Sequence, residues 1–227
     1  MKKFTKYLMI FALVFGLTLS LTMALLTDTT SSATNVFTSS RGIDIELREP
    51  AWDGYDFSEA WPGGTSPKSD DVTLGYNIAN EYLPGDTVPK DPTIKAMTGS
   101  DNTYVAMKLT YKVNDVVVPY ATFATYLRDD SIVFDTGAAV DEWSNESTVP
   151  ANNDFFVFNS YLVADSAQAT TSPLFTQVLI SFGLVPDGSG NLPKLEIDAT
   201  AYGVQISLPA GTDKATALKT LAGYPAP

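Results

Sequence analysis

The sequence predicts an all-β fold, a jelly-roll-like antiparallel β-sandwich with a short C-terminal helix. Only 18% of the residues are charged, while Tyr, Phe, Gly and Pro occur 11, 12, 15 and 14 times. Aromatic residues favour strands, and Gly and Pro favour turns. Short segments of alternating apolar and polar residues recur along the chain, which is the period of a half-buried strand. Because there is no cysteine, a packed core rather than a disulfide framework must stabilise this fold.

The first 24 residues have the organisation of a secretory signal peptide. Residues 1–6 are short and basic, and an almost wholly apolar segment follows up to Ala24. Cleavage between Ala24 and Leu25 fits the small residues there and would leave 203 of the 227 residues. A retained membrane anchor is the alternative, because the apolar segment is long enough to span a bilayer. We divide the chain into a signal peptide at 1–24, an N-terminal arm with the first strand at 25–47, and one β-sandwich domain at 48–227.

The arm behind the cleavage site is polar and ends in a strand. Beyond Leu25 and Leu26, its large apolar residues are a pair in the polar segment and three that alternate with polar residues: Val36, Phe37, Ile43, Ile45 and Leu47. A strand of this kind can pair within its own sheet or with the open edge of a neighbouring molecule. These five residues are therefore our candidates for a donor strand.

The rest of the chain is assigned in order. Residues 51–71 combine Gly, Pro, acids and aromatics, and predict a long surface loop pinned to the sandwich by its aromatic side chains. Residues 120–127 fit either a short helix or an edge segment, and residues 212–221 predict the C-terminal helix, with Asp213 near its start. Alternating or apolar segments predict further strands at 72–79, 93–97, 104–113, 116–118, 155–163, 174–182 and 195–208.

Turn and bend signals divide these strands. Pro84-Gly85 predicts a turn, and Asn114-Asp115 between two apolar strands predicts a tight hairpin. A bulge is predicted at Asn159-Ser160, and a bulge or bend at Gly203, because glycine inside a strand often marks one.

Several motifs occur in a particular order along the chain. The arm reads Leu25-Leu26-Thr27-Asp28-Thr29, then Asn35, Phe37 and Thr38, and a strand follows. Leu-Pro-Gly-Asp at 83–86, Tyr-Val-Ala-Met-Lys-Leu at 104–109 and Leu-Phe-x-x-Val-x-Ile at 174–180 come later. In this order the motifs resemble those of the TasA/camelysin family of secreted bacterial proteins, and the resemblance extends over most of the chain behind the leader.

The resemblance implies both a fold and a function. It implies a jelly-roll sandwich and removal of the leader by a dedicated signal peptidase of the SipW type. It further implies a structural subunit of an extracellular biofilm-matrix or cell-surface fibre, in which the arm of one copy completes the sheet of the next. The partners are then further copies of the chain, with an accessory assembly protein as a candidate.

Composition excludes several other functions. The chain has no histidine and no cysteine, so it lacks the usual general base, the usual zinc ligands and a Ser-His triad. We therefore predict that it is not an enzyme, although camelysin is described as a metalloprotease. Removing the leader takes away three lysines and no acid, which changes the net charge from −12 to −15. Such a surface repels nucleic acid and anionic lipid, which leaves the uncleaved leader as the one membrane contact.

One short segment resembles a calcium loop. Asp187, Ser189 and Asn191 place oxygen atoms at alternating positions, but Leu192 stands where an EF-hand loop needs glycine. A turn is the favoured interpretation, and no cofactor is predicted, with calcium left open. The alternative function is a monomeric cell-surface β-sandwich that binds a glycan or calcium through residues 52–61 or through loop acids.

Overall fold

The computed structural model describes residues 34–37, 42–60, 66–188 and 190–224. The predicted cleavage positions Ala24 and Leu25, and Ser189 of the calcium candidate, lie outside this part. Of Val36 and Phe37 the backbone alone is described. Within the described part the fold is predominantly β with a short C-terminal helix, as predicted.

The described residues form ten strands and four short α-helices. The strands are β1 (Thr34–Phe37), β2 (Ile43–Arg48), β3 (Thr87–Pro89), β4 (Thr93–Ala96), β5 (Thr103–Val113), β6 (Val116–Val118), β7 (Trp143–Asn145), β8 (Phe155–Leu162), β9 (Gln177–Leu179) and β10 (Leu195–Gln205). The helices are α1 (Pro50–Asp53), α2 (Gly75–Asn80), α3 (Tyr120–Ala124) and α4 (Lys214–Leu221). Single 3₁₀ turns occur at Arg128–Asp130 and Pro150–Asn152.

These strands form three antiparallel sheets. One has the order β1-β2-β4, the second has the order β10-β5-β8-β7 with β6 paired to β5, and the third is the pair β3-β9. Side chains of the first two sheets share one core, in which Ile45 and Ile94 lie beside Val105, Met107 and Leu109 of β5. The N-terminal strand β2 is therefore part of the main core.

The long strand β5 contributes side chains to a hydrophobic cluster on each of its two faces. Val105, Met107 and Leu109 face the main core, as their alternation predicts, and none is more than 2% exposed. Ala106 faces the other way and packs in a second cluster with Leu218 of α4. Asp213 caps this helix by accepting a hydrogen bond from the backbone N–H of Thr216 at 2.9 Å, as expected for an N-cap carboxylate.

Two local predictions about β5 and β8 are confirmed. Asn114 and Asp115 have φ angles of 51° and 64° and join β5 to β6 in a two-residue hairpin, for which positive φ is required at both positions. Along β8 the register shifts, because Tyr104 lies opposite Tyr161 whereas Ala106 lies opposite Val157. The extra residues on β8 include the predicted bulge at Asn159-Ser160.

Three predictions about elements need correction. Residues 72–79 are not a strand but a turn followed by α2, and the Asn77 side chain closes this turn by donating to the Ser69 and Asp71 carbonyls at 3.0 and 2.7 Å. Of the strand predicted at 174–182, only β9 forms. Gly203 makes no bulge, because β10 pairs with β5 in unbroken register. The ambiguous segment at 120–127 contains helix α3.

Candidate functional site

The N-terminal strands form the first part of the candidate site. Strand β2 is the middle strand of its sheet, paired on one side with β1 and on the other with β4. Ile45 is fully buried and Ile43 is 5% exposed, while Leu47 is half-buried. The three donor-strand candidates of β2 thus lie in the sheet of their own chain. Exchange of this segment between copies stays a prediction.

Gly203 explains how β2 approaches β10 closely. A Cβ atom at this position would lie 3.1 Å from Ile45 Cδ1, 3.3 Å from Ile43 Cγ2 and 3.0 Å from Thr103 Cγ2. These distances are shorter than ordinary van der Waals contacts, so a side chain at 203 would push β2 away. The glycine therefore provides the space that the two isoleucines of the N-terminal strand occupy.

A cavity of about 380 Å³ begins where β2 ends, and it forms the second part of the site. Its apolar wall is made by residues of β3, α3, β9 and β10, and its aromatic wall by Trp52, Tyr76 and Tyr82. Six charged residues complete the lining: Arg48, Glu49, Asp53, Lys90, Glu196 and Asp198. The lining is therefore amphipathic, as in most small-molecule sites.

Trp52 connects the predicted loop to the body of the protein. Its ring packs edge-on against Tyr76, with the ring centroids 6.0 Å apart, and Lys90 Nζ lies 4.6 Å from the centroid of the Trp52 ring. Trp52 thus pins α1 to α2 and to Lys90 just after β3, in line with the interpretation of the aromatic residues as anchors. It also lines the cavity together with Tyr76 and Tyr82.

Both cations of the cavity lining are paired with carboxylates. Lys90 Nζ lies 2.6 Å from Glu49 Oε2. Arg48 Nη2 lies 2.5 Å from Glu46 Oε1 and also donates to the Glu59 carbonyl at 3.3 Å. Both side chains are largely buried, and a buried cation without a partner would be costly. The paired acids therefore neutralise the positive charge on this side of the cavity.

Two aspartates near the cavity are harder to ionise than usual. Burial raises the pKa of Asp91 to about 6, although its Oδ1 accepts a hydrogen bond from the Ala51 N–H at 2.7 Å. Burial also raises the pKa of Asp53, against the opposing effect of a hydrogen bond from the Tyr55 N–H at 2.9 Å. Desolvation disfavours the charged carboxylate in both cases.

The raised pKa of Asp91 predicts a pH-dependent gain in stability for Asp91→Asn. The wild-type carboxyl contributes most to stability when it is protonated, and this contribution is lost as the pH rises through the folded-state value of about 6. Asparagine keeps the Oδ1 acceptor without the charge. We expect the variant to gain about 1 kcal/mol relative to wild type between about pH 4 and pH 7.5, a figure reduced for solvent screening at this half-buried site. Urea unfolding across this range measures the gain, and a difference that does not change with pH would contradict it.

The calcium candidate forms a turn that is closed by its own hydrogen bonds. The Asp187 N–H donates to the Asn191 carbonyl at 2.8 Å, and the Asn191 N–H donates to Asp187 Oδ1 at 3.0 Å. The favoured interpretation as a turn therefore agrees with the structure at Asp187 and Asn191. No group of three acidic side chains suited to a metal ion occurs in the described ranges, and the absence of a cofactor stays a prediction.

Comparisons with known proteins give no relative on which to base a family assignment. No protein-family model matches the chain, and no curated protein or solved structure is significantly similar to it. The resemblance to the TasA/camelysin family accordingly stays a prediction. Among the described residues, no helix is both long enough and apolar enough to cross a membrane.

Sequence reasoning found one wall of the cavity and missed the others. Trp52 was a candidate from its place in an aromatic loop, but Tyr76 lies in the segment that was assigned to a strand. Tyr82 and Lys90 lie on either side of the turn predicted at Pro84-Gly85, and nothing in the sequence around them indicates a binding site. The tendency of aromatic residues to cluster around 52–82 was the one available signal, and it does not show which of them face a common space.

Proposed function

We propose that this protein is a secreted structural subunit of a bacterial cell-surface or biofilm-matrix fibre. In this proposal the described chain is a jelly-roll-like sandwich, and the N-terminal arm of one copy adds to the sheet of the next. The motif resemblance along the chain suggests this function, and the position of β1 supports it. The proposal includes an extracellular location and no catalytic role.

The observation that carries the proposal is the terminal edge strand β1. It lies at the end of the β1-β2-β4 sheet and pairs with β2 through four residue pairs, from Thr34 opposite Glu46 to Phe37 opposite Ile43. The same strand from another copy could make the same four pairs, so exchange loses no backbone hydrogen bonds. An exchange that runs from each copy to the next without closing produces a filament.

Strand β2 limits how much of the arm such an exchange involves. Ile43 and Ile45 of β2 fill space that Gly203 leaves open in the same chain, and β4 pairs with the other side of β2. Exchange of β1 alone leaves this core in place, whereas exchange of β2 would open it. We therefore assign the donor role to the segment that contains Val36 and Phe37, and we assign Ile43, Ile45 and Leu47 to the core of the subunit.

Electron microscopy of two purified forms tests the proposal. One form begins at Leu25 and the other at Arg41, so that the second lacks β1 but keeps β2. We expect fibres from the longer form and folded monomers from the shorter one. Because the net charge without the leader is −15, subunits repel one another, and added salt should promote fibre growth by screening.

A variant of the longer form separates loss of the strand from loss of chain length. Val36→Asp with Phe37→Asp keeps the arm at full length but adds charges to β1, and it should stop fibre growth. Circular dichroism shows whether each form is folded. Fibres from the form that begins at Arg41 would overturn the proposal. Monomers from both forms would favour the alternative of a monomeric surface protein.

A further inference from the structure

The cavity beside α1 opens onto the surface, so a ligand can enter it from solvent. Its volume of about 380 Å³ falls in the range of small-molecule sites, about 300–1,000 Å³. We propose that this cavity binds a small organic cation with an apolar body, such as an arylalkylamine.

The apolar walls select the body of the ligand. Leu195, Ile197 and Ala199 alternate along β10, and the cross-strand pair Val88 and Val178 joins them in the lining. Trp52, Tyr76 and Tyr82 stand among the other lining residues. Burial of an apolar group against these walls is favourable because it removes apolar surface from water. A phenyl ring or a compact aliphatic group therefore suits these walls.

The charges of the lining determine which sign of charge the ligand carries. The two cations of the lining are already paired: Lys90 forms an ion pair with Glu49, and Arg48 forms one with Glu46. Asp53 accepts a hydrogen bond from the Tyr55 N–H, and it forms no ion pair with any cation in the described part of the chain. An incoming amine can supply this missing partner. An anion would instead meet the Asp53 carboxylate, whose charge Arg48 and Lys90 offset only in part, because burial still raises its pKa.

The acidity of the chain strengthens this preference. Glu196 and Asp198 border the cavity, but they alternate along β10 with the core-packed Leu195, Ile197 and Ala199, so their carboxylates point to the other face of the sheet. There they pair with Lys194 and Lys112 at 3.0 and 2.6 Å, and they do not select a ligand in the cavity. The whole chain is also acidic, with a net charge of −12, which draws cations toward the surface.

Three probes of nearly equal size test the proposal by calorimetric titration of the purified full chain. They are 2-phenylethylamine, 2-phenylethanol and phenylacetate, which carry a positive charge, no charge and a negative charge on similar bodies. We expect the amine to bind at least about tenfold more tightly than the other two, about 1.4 kcal/mol. Its affinity should rise with pH as Asp53 ionises, because burial raises the pKa of that carboxyl.

Two variants and a control connect the binding to the cavity. Asp53→Asn should weaken amine binding about tenfold while leaving the weak binding of the alcohol unchanged. Ala79 of α2 also lines the cavity, so Ala79→Trp places a bulky ring there and should abolish binding of the amine. Asp70→Asn removes the same charge from an exposed position outside the lining, so it should bind the amine as the wild type does.

The comparison among the three probes needs no variant, so a variant that fails to fold does not prevent the test. Equal affinity for all three probes would overturn the proposal by showing that the cavity does not discriminate charge. Tightest binding of phenylacetate would overturn it in favour of recognition by Arg48 and Lys90. The absence of amine binding at millimolar concentration would also overturn it, as would unchanged affinity in Asp53→Asn.

Discussion

Replacing Ile45 by alanine is expected to lower the free energy of unfolding by about 2–5 kcal/mol. Ile45 is fully buried in the middle strand of the β1-β2-β4 sheet, and its Cδ1 would lie 3.1 Å from a Cβ atom at position 203. The substitution removes three carbon atoms from a contact between two sheets. Because the backbone of β2 is held on both sides by β1 and β4, the surrounding structure can collapse only partly into the space.

Urea unfolding of the single chain measures this loss, and Ile206→Ala is the matched control. Ile206 is 37% exposed and lies just beyond β10, so the same chemical change there should cost less than about 1 kcal/mol. Equal losses for the two variants would contradict the packing of β2 in its own chain. The same comparison tests which strand is exchanged in the fibre proposal. If β2 left its own chain to join the next copy, Ile45→Ala would weaken fibre assembly more than it weakens the stability of the monomer.

The elements that the sequence predicted well are those with local signals. Strand β5 was predicted from its alternation of apolar and polar residues, and the hairpin that follows it from Asn114-Asp115. The C-terminal helix was predicted from its composition and from the Asp213 cap. In each case the residues that determine the structure are neighbours in sequence, so their pattern is visible without knowledge of the fold.

The features that the sequence did not predict depend on distant residues. Gly203 inside a strand predicts a bulge or bend, but its role is to admit Ile43 and Ile45, which lie far away in the sequence. The segment at 72–79 has apolar residues at every second position, Val72, Leu74, Tyr76 and Ile78, which is the period of a strand. Its helix is instead determined by the turn that the Asn77 side chain closes. The cavity joins residues from β2 to β10, so neither its volume nor the paired state of Lys90 and Arg48 could be inferred from local patterns.

Gly75→Ala is expected to destabilise the protein by about 3 kcal/mol, at the upper end of the cost of overpacking. A Cβ atom at position 75 would lie 1.8 Å from the Pro89 carbonyl oxygen and 2.8 Å from Trp52 Cε3. The first of these contacts is with backbone, which cannot rotate away as a side chain can. Strand β3 would have to move, and its pairing with β9, including Val88 opposite Val178, would be disturbed.

The matched control is Gly183→Ala, where the nearest atom to the new methyl group would be Ser181 Oγ at 3.6 Å. Both substitutions reduce the entropy of the unfolded chain to a similar extent. The difference in unfolding free energy between the two variants therefore measures the cost of the steric overlap between the new methyl group at position 75 and the Pro89 carbonyl oxygen. The cavity should also change, because Trp52, Tyr76 and Val88 all line it. Gly75→Ala should therefore weaken amine binding as well as stability, whereas Gly183→Ala should leave amine binding unchanged and should raise stability slightly through the unfolded state. Equal stability of the two variants would show that α2 does not pack against β3, and the proposed cavity would lose one of its walls.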